Sequence, residues 1–404
     1  MATGVLFNPF VPSYRNNPYL QLGRLREGEP VHRSTALQAW VLTRYDDCLA
    51  VIRDHETFSS DARTARGDLA DAIQRQRADS PLGDVQTVIG SDPPTHTRLR
   101  GLVNRAFTPR RVASMRPHIE EITEELLAEA PDQGSWDLMS GLAQPLPIVV
   151  IAEMLGVPPE DRQRFKEWST ALAATTNIVQ NETMVREARR ATDELIGYLG
   201  DFVEARRREP RDDLISTLVE AGDDGERLSH QELLAFAILL LVAGNETTTN
   251  LIGNGMAALL AHSEALDGLR ADPDRVPEAI EEMLRYDSPV QGLVRFARED
   301  TEVGGQPIAA GDVLLCMLGA ANRDPRQFPN PDLFDLGRAE NRHLSFGQGI
   351  HYCVGAPLSR LEADVVFRAL VGRWPSMALA EDGLTRGGTF LLRGPERLEM
   401  RVGS

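Results

Sequence analysis

Cysteine is scarce in this chain. Of 404 residues only three are cysteines, Cys48, Cys316 and Cys353, far apart and never as CxxC. That spacing argues against a disulfide framework and a cysteine zinc site, and it suits a reducing compartment. Basic charge is also short. Against 60 Asp and Glu stand 43 Lys and Arg, a formal net charge of −17, which argues against nucleic acid as a general partner. Long apolar runs are missing too: the longest, Leu233 to Ala243, falls well short of the roughly 20 residues that cross a bilayer. The stretch Met1 to Leu20 has no basic start followed by an apolar segment, so no signal peptide is expected. Internal repeats and low-complexity linkers are absent. The chain reads as a soluble cytoplasmic monomer with no membrane partner.

What the sequence does contain is helical periodicity. Helices are expected over 17–26, 45–54, 95–107, 111–130, 147–155, 159–176, 183–208, 212–221, 229–262, 277–286 and 354–374. Strands are expected at Ala39–Thr43, Leu293–Ala297, Thr301–Val303 and Val313–Leu318, with short hairpins around Gly387 and Gly388. Residues 61–92 are polar and read as a mobile loop with at most a short helix. The sum is mainly α with small β-sheets. No boundary is sharp, so 1–404 is expected to form one domain. A β-rich lobe would draw on about 28–60, 290–320 and 376–404, and a helical lobe on about 95–286 and 354–374.

Two stretches carry chemistry. Ser229 and Glu232 form a capping-box pattern that opens a long apolar helix. Near its middle stand Ala243, Gly244, Asn245, Glu246, Thr247, Thr248 and Thr249. An acid and hydroxyls there are costly unless partnered; they mark either a solvated notch or a proton-delivery site. The second stretch runs from Phe346 to Gly355 and carries Cys353 at the start of a helical pattern, with Pro357 in its first turn. Cys353 is either a buried apolar cysteine in a glycine-rich turn or a thiolate ligand favoured by a helix N-terminus. Elsewhere, Glu282 and Arg285 lie three apart on one helical face, and His96 and Arg100 four apart. With Arg295 and His351, the last two make four possible anion partners. Alone, each is as readily an ordinary polar residue.

In order, HTRLR at 96–100, AGNETT at 243–248, EMLR at 282–285 and FGQGIHYCVG at 346–355 resemble the cytochrome P450 family of haem-thiolate monooxygenases. The last motif is specific, the likeness spans nearly the whole chain, and order and length resemble the soluble bacterial branch. The resemblance implies the cytochrome P450 fold, with haem b (iron protoporphyrin IX) between the long central helix and the Cys353 loop. It implies Cys353 as the axial iron ligand, whose thiolate favours O–O cleavage. His96, Arg100, Arg295 and His351 would hold the haem propionates. Glu246 and Thr247 would deliver protons, and with this pair present O2 rather than peroxide is the expected co-substrate. Asn245 stands where many relatives carry His and would face substrate or a water chain. Glu282 and Arg285 would be structural. Their usual third partner, an Arg in a PxRF-like segment, is replaced by Leu333, which leaves Arg338 as the candidate.

The resemblance further implies hydroxylation of a lipophilic small molecule such as a fatty acid, terpenoid, steroid or polyketide. Leu240, Ala243, Val290, Leu293, Val294 and Phe390 are the candidate lining, within a pocket drawing also on 61–92 and 165–190. Arg63, Arg66, Arg75 and Arg77 would meet a substrate carboxylate or stay solvated. With no flavin or iron–sulfur domain in evidence, electrons from NAD(P)H would arrive through an external ferredoxin or flavodoxin. In the acid-free run of Arg98, Arg100, Arg105, Arg110, Arg111 and Arg116, those not on the propionates are expected to help dock an acidic partner. The competing readings are a P450-like peroxygenase or isomerase, and a non-catalytic haem gas sensor.

Overall fold

The computed structural model describes residues 7–78, 82–173, 182–220 and 227–403. Its axis is the helix His230–Ala261, 32 residues long, about 48 Å at 1.5 Å per residue. The capping box forms: Ser229 Oγ accepts from the Glu232 amide at 3.1 Å, and the Glu232 carboxylate accepts from the Ser229 amide at 2.8 Å. Arg98 also pairs with Glu232, tying the helix start to the helix Thr95–Ala106. By length and composition the central helix matches a membrane span, yet 56% of its most apolar window is buried inside the fold. It is a core helix. Around it pack the helices Pro145–Leu155, Arg162–Ala173, Glu182–Arg208, Val276–Tyr286 and Ala356–Arg373.

The strands are β1 (Val31–Ser34), β2 (Ala39–Leu42), β3 (Phe58–Ser59), β4 (Gly134–Asp137), β5 (Leu293–Ala297), β6 (Thr301–Val303), β7 (Gln306–Ile308), β8 (Val313–Cys316), β9 (Ser376–Gly388) and β10 (Arg393–Gly403). The largest sheet has the order β1-β2-β8-β5-β3, parallel only between β2 and β8. β4, β10 and β9 form a second sheet, and β6 with β7 a third. Successive strand residues face opposite sides, and this separates two cores. Leu293 pairs with Cys316 in a cluster against the helix Tyr45–Arg53, while Val294 pairs with Leu315 in a cluster with Tyr14, Leu22 and Leu25.

Several elements differ from expectation. The span 111–130 is two helices, Pro109–Ser114 and Arg116–Ala128. Pro117 causes the break, since proline is tolerated in a first turn but not inside a helix. The polar stretch 61–92 contains an 11-residue helix, Asp68–Ala78. The C-terminal hairpin is long, 13 and 11 residues, rather than short. Strand β4 and the helix Ser263–Ala271 were not expected; β4 exists through its pairing with residues 399–402 of β10. The expected helix 159–176 is seen as Arg162–Ala173; its last residues, like 174–181 of the expected pocket region, lie outside the described residues.

Candidate active site

Cys353 closes a tight loop ahead of the helix Ala356–Arg373. Its amide donates to Phe346 O at 2.9 Å, and Gly347 N donates to Leu344 O at 2.8 Å. Gly347 and Gly349 adopt φ of 68° and 71°, a region glycine enters without steric cost. A Cβ on Gly349 would also lie 3.3 Å from the Arg53 and Ile52 backbone. Burial pushes the Cys353 thiol up. The Gly355 and Ala356 amides and the Arg100 and Arg360 charges pull it down, without cancelling the burial. The helix N-terminus thus supplies the amides the sequence promised, but within the protein alone desolvation wins.

Beside this loop converge the four anion-partner candidates. The rings of His96 and His351 lie 4.3 Å apart, and Nε2 of each is buried with no partner. Burial, then Arg295 and His96, hold His351 down at about 3; burial and Arg100 lower His96. Arg295 is buried and donates from Nη1 to Val294 O at 2.8 Å. Arg100 donates to Asn104 and feels the Cys353 charge. The carboxylate of Asp92 also acts on this cluster, but it is held by Arg298 at 2.6 Å and by the Ser60 amide at 3.0 Å. Two orphaned imidazoles beside two guanidiniums suit an incoming group bearing carboxylates. With a thiol alongside, the donor set fits haem: Arg100, Arg295, His96 and His351 would hold its propionates and Cys353 its iron.

The central helix is open along one stripe. Leu239, Leu240 and Thr247 are half-exposed and Ala243 is exposed, although most of the same helix is buried. Thr247 donates to Ala243 O at 2.7 Å within the helix, and Glu246 is half-buried. Asn245 does not follow expectation. It is buried, donates to Ser169 Oγ at 2.7 Å and accepts from Thr249 Oγ1 at 3.3 Å, so it ties the helix Arg162–Ala173 to the centre instead of facing substrate. Sequence reasoning also missed Glu362, which is buried and pushed by that burial from the ordinary 4.5 to about 8 despite a hydrogen bond with Thr248. Its only local trace is that two acids, Glu362 and Asp364, interrupt the apolar residues after Leu361, and of these Asp364 has arginine partners.

Behind the loop, Glu282 and Arg285 form a buried two-point pair, both contacts 2.8 Å. Arg285 also donates to the carbonyls of Asn322, Pro331 and Leu333. Arg338 reaches Glu282 at 3.1 Å and so occupies the third position, while Leu333 contributes its carbonyl and leaves its side chain outside. Of the pocket candidates, Leu293 touches the cysteine loop, 3.6 Å from where a Gly347 Cβ would stand; Val290 packs in the same cluster. Val294 turns to the opposite face of the sheet. Phe390 meets Phe10 edge-to-face at 6.2 Å in an outer cleft that Tyr14 and Gln291 also line. These two pack with Tyr14 and Leu315, whereas Leu240 packs against the core around the central helix.

The basic run is mostly spoken for. Arg98 is on Glu232, Arg111 on Thr217 and Asp212, and Arg116 on Asp364. Arg105 and Arg110 are exposed. In the stretch 61–92, Arg63 pairs with Asp61 and Arg66 lies against Gly311. Arg75 is exposed, and the Arg77 side chain lies outside the described ones.

Comparison with known proteins agrees with this geometry. The family model described as Cytochrome P450 matches residues 40–375. The chain is 42% identical over 398 residues to 6-deoxyerythronolide B hydroxylase of Saccharopolyspora erythraea, covering 96% of this chain and 97% of that one. It is 42% identical over 401 residues to the vitamin D(3) 25-hydroxylase of Pseudonocardia autotrophica, covering 98% and 96%. The solved structure of the bacillaene polyketide synthase cytochrome P450 PksS of Bacillus subtilis superposes with a TM-score of 0.89 at 39% identity, over 99% of this chain and 100% of that one. A tight cysteine loop at a helix N-terminus, two guanidiniums beside two unpartnered imidazoles, the family-model match and a matching fold over nearly the whole length lead to one conclusion: the chain belongs to the cytochrome P450 family of haem-iron monooxygenases.

Proposed function

We propose that this monooxygenase hydroxylates a lipophilic small molecule of polyketide, terpenoid, steroid or fatty-acid character, with electrons delivered from NAD(P)H by a separate ferredoxin or flavodoxin. The observation that carries the reading is the open stripe of the central helix, where Leu239, Leu240 and Ala243 present apolar surface next to Glu246 and Thr247. Apolar lining favours an apolar occupant through burial of its surface. Relatives named for a polyketide and a secosteroid support the same size and polarity of substrate. The haem, when bound, supplies the oxidising chemistry. This chain's own residues hold it through Cys353, His96, Arg100, Arg295 and His351, orient the substrate along the stripe, exclude water, and pass protons through Glu246 and Thr247.

The electron donor is the finer part of the proposal. Arg105 and Arg110 are the two arginines of the basic run left exposed and without an ion pair among the described residues, so docking of an acidic protein is assigned to them rather than to all six. The test is substrate-dependent consumption of NADPH and O2 in the presence of a ferredoxin and its reductase, with identification of the oxygenated product. Reversal of Arg105 and Arg110 to Glu should slow reduction by ferredoxin at low salt and leave chemical reduction by dithionite unchanged. Equal rates with ferredoxin for the variant and the parent would contradict the docking assignment.

A further inference from the structure

The loop from Phe346 to Cys353 carries two glycines at positive φ and few hydrogen bonds of its own, so something outside it must fix where the sulfur points. The side chain of Arg360 stands at both of its ends. The guanidinium centre lies 4.5 Å from the Phe346 ring centroid, and Nη1 donates to the Tyr352 hydroxyl at 3.2 Å. Phe346 opens the loop and accepts the Cys353 amide; Tyr352 directly precedes the cysteine. The remaining edge of the guanidinium is fixed by a two-point pair with Glu281, at 2.7 and 2.9 Å. Glu281 is itself contacted by His343 at 3.2 Å. Burial raises the Glu281 carboxyl, but Arg360 and His343 hold it down at about 2, so it stays ionised.

Neighbouring carboxylates on the helix Val276–Tyr286 therefore serve two different jobs. Glu282 grips Arg285 and Arg338 behind the loop. Glu281 grips Arg360, which grips the loop itself. We propose that Arg360 is a positioning residue for the iron ligand: it clamps Phe346 and Tyr352 to the helix Val276–Tyr286 through Glu281, and so holds the Cys353 sulfur in the place where it binds haem iron as a thiolate. The inference rests on the assignment of Cys353 as that ligand. Only arginine meets the geometry. A planar fork satisfies Glu281 at two points while its face stacks on Phe346, whereas lysine offers one charged point and no face.

The test compares the haem-loaded parent with Arg360→Lys, Arg360→Gln and Tyr352→Phe. Two readouts serve: the ratio of thiolate-ligated to thiol-ligated bands in the reduced carbon monoxide spectrum, and the rate of haem transfer to apomyoglobin. Both Arg360 variants should raise the thiol-ligated share and release haem several-fold faster, with unchanged far-ultraviolet circular dichroism. Tyr352→Phe, which removes one arm, should fall between them and the parent. Retention of the parent spectrum and haem-loss rate by Arg360→Lys would overturn the proposal. If the Arg360 variants fail to fold, Glu281→Gln and Tyr352→Phe decide: partial loss of the thiolate band supports the clamp, and parent behaviour in both refutes it. A parent protein with no thiolate band would instead remove the Cys353 assignment, and the clamp with it.

Discussion

Thr247 and Glu362 show how much a single side chain decides here. Thr247 donates its hydroxyl proton to Ala243 O at 2.7 Å, which leaves the oxygen able to accept a further hydrogen bond. Thr247→Ala should keep NADPH consumption but divert it to hydrogen peroxide with little product; coupling equal to the parent's would remove Thr247 from proton delivery. Glu362 affects stability. Its folded pKa, raised by burial to about 8 from 4.5, means that the unfolded chain releases a proton between those values while the folded chain keeps it. Its contribution is therefore full below about pH 4.5 and falls as pH rises toward 8. Glu362→Gln should erase that slope, gaining a few kcal/mol, about 1.4 per unit of pH at most, relative to the parent at the alkaline end. Thermal unfolding of both proteins from pH 5 to 8 reads it, and parallel curves would contradict it. Glu362 is visible in the sequence as an acid among apolar neighbours, but neither its burial nor the true partner of Asn245 was legible beforehand. Burial of an acid and a hydrogen bond to Ser169 both depend on which helices pack together, and nothing local encodes that.

The central helix was legible because its signals are local. Ser229 and Glu232 state its start, and an apolar run carries it through the core. β5 was read to the residue, Leu293–Ala297, because a short run rich in apolar, β-branched and aromatic side chains stands between turn residues. Break points set by partners were harder, since β4 has no existence apart from β10, whereas Arg338 was named beforehand for the place beside Glu282 that Leu333 leaves empty, and it stands there. Asn245 joins two helices at a single buried point. Asn245→Ala strands the Ser169 hydroxyl and breaks the contact with Thr249, a cost of about 1–3 kcal/mol for a buried unsatisfied group. We expect lower stability and faster amide exchange in Arg162–Ala173 than in the central helix. A double-mutant cycle with Ser169→Ala should be non-additive, and additivity would show that the bond contributes nothing.

At the scale of the whole molecule, the fold is a long helix and a cysteine loop held a fixed distance apart by everything else. The helices packed on His230–Ala261 and the sheet that carries Leu293 and Arg295 set the two walls. The buried Glu282, Arg285 and Arg338 cluster and the Arg360 clamp set the loop. An acidic chain with a net charge of −17 nonetheless gathers the guanidiniums of Arg100 and Arg295 and the neutral, hydrogen-bonding imidazoles of His96 and His351 around one point, a local positive charge that an anion would balance. The central claim is that Cys353 binds haem iron as a thiolate at that point. Its most direct measurement is the reduced carbon monoxide difference spectrum of the purified, haem-loaded protein, beside Cys353→Ala. The account predicts a far red-shifted Soret band in the parent and its loss in the variant; a well-folded parent without that band, or a variant that keeps it, would contradict the account.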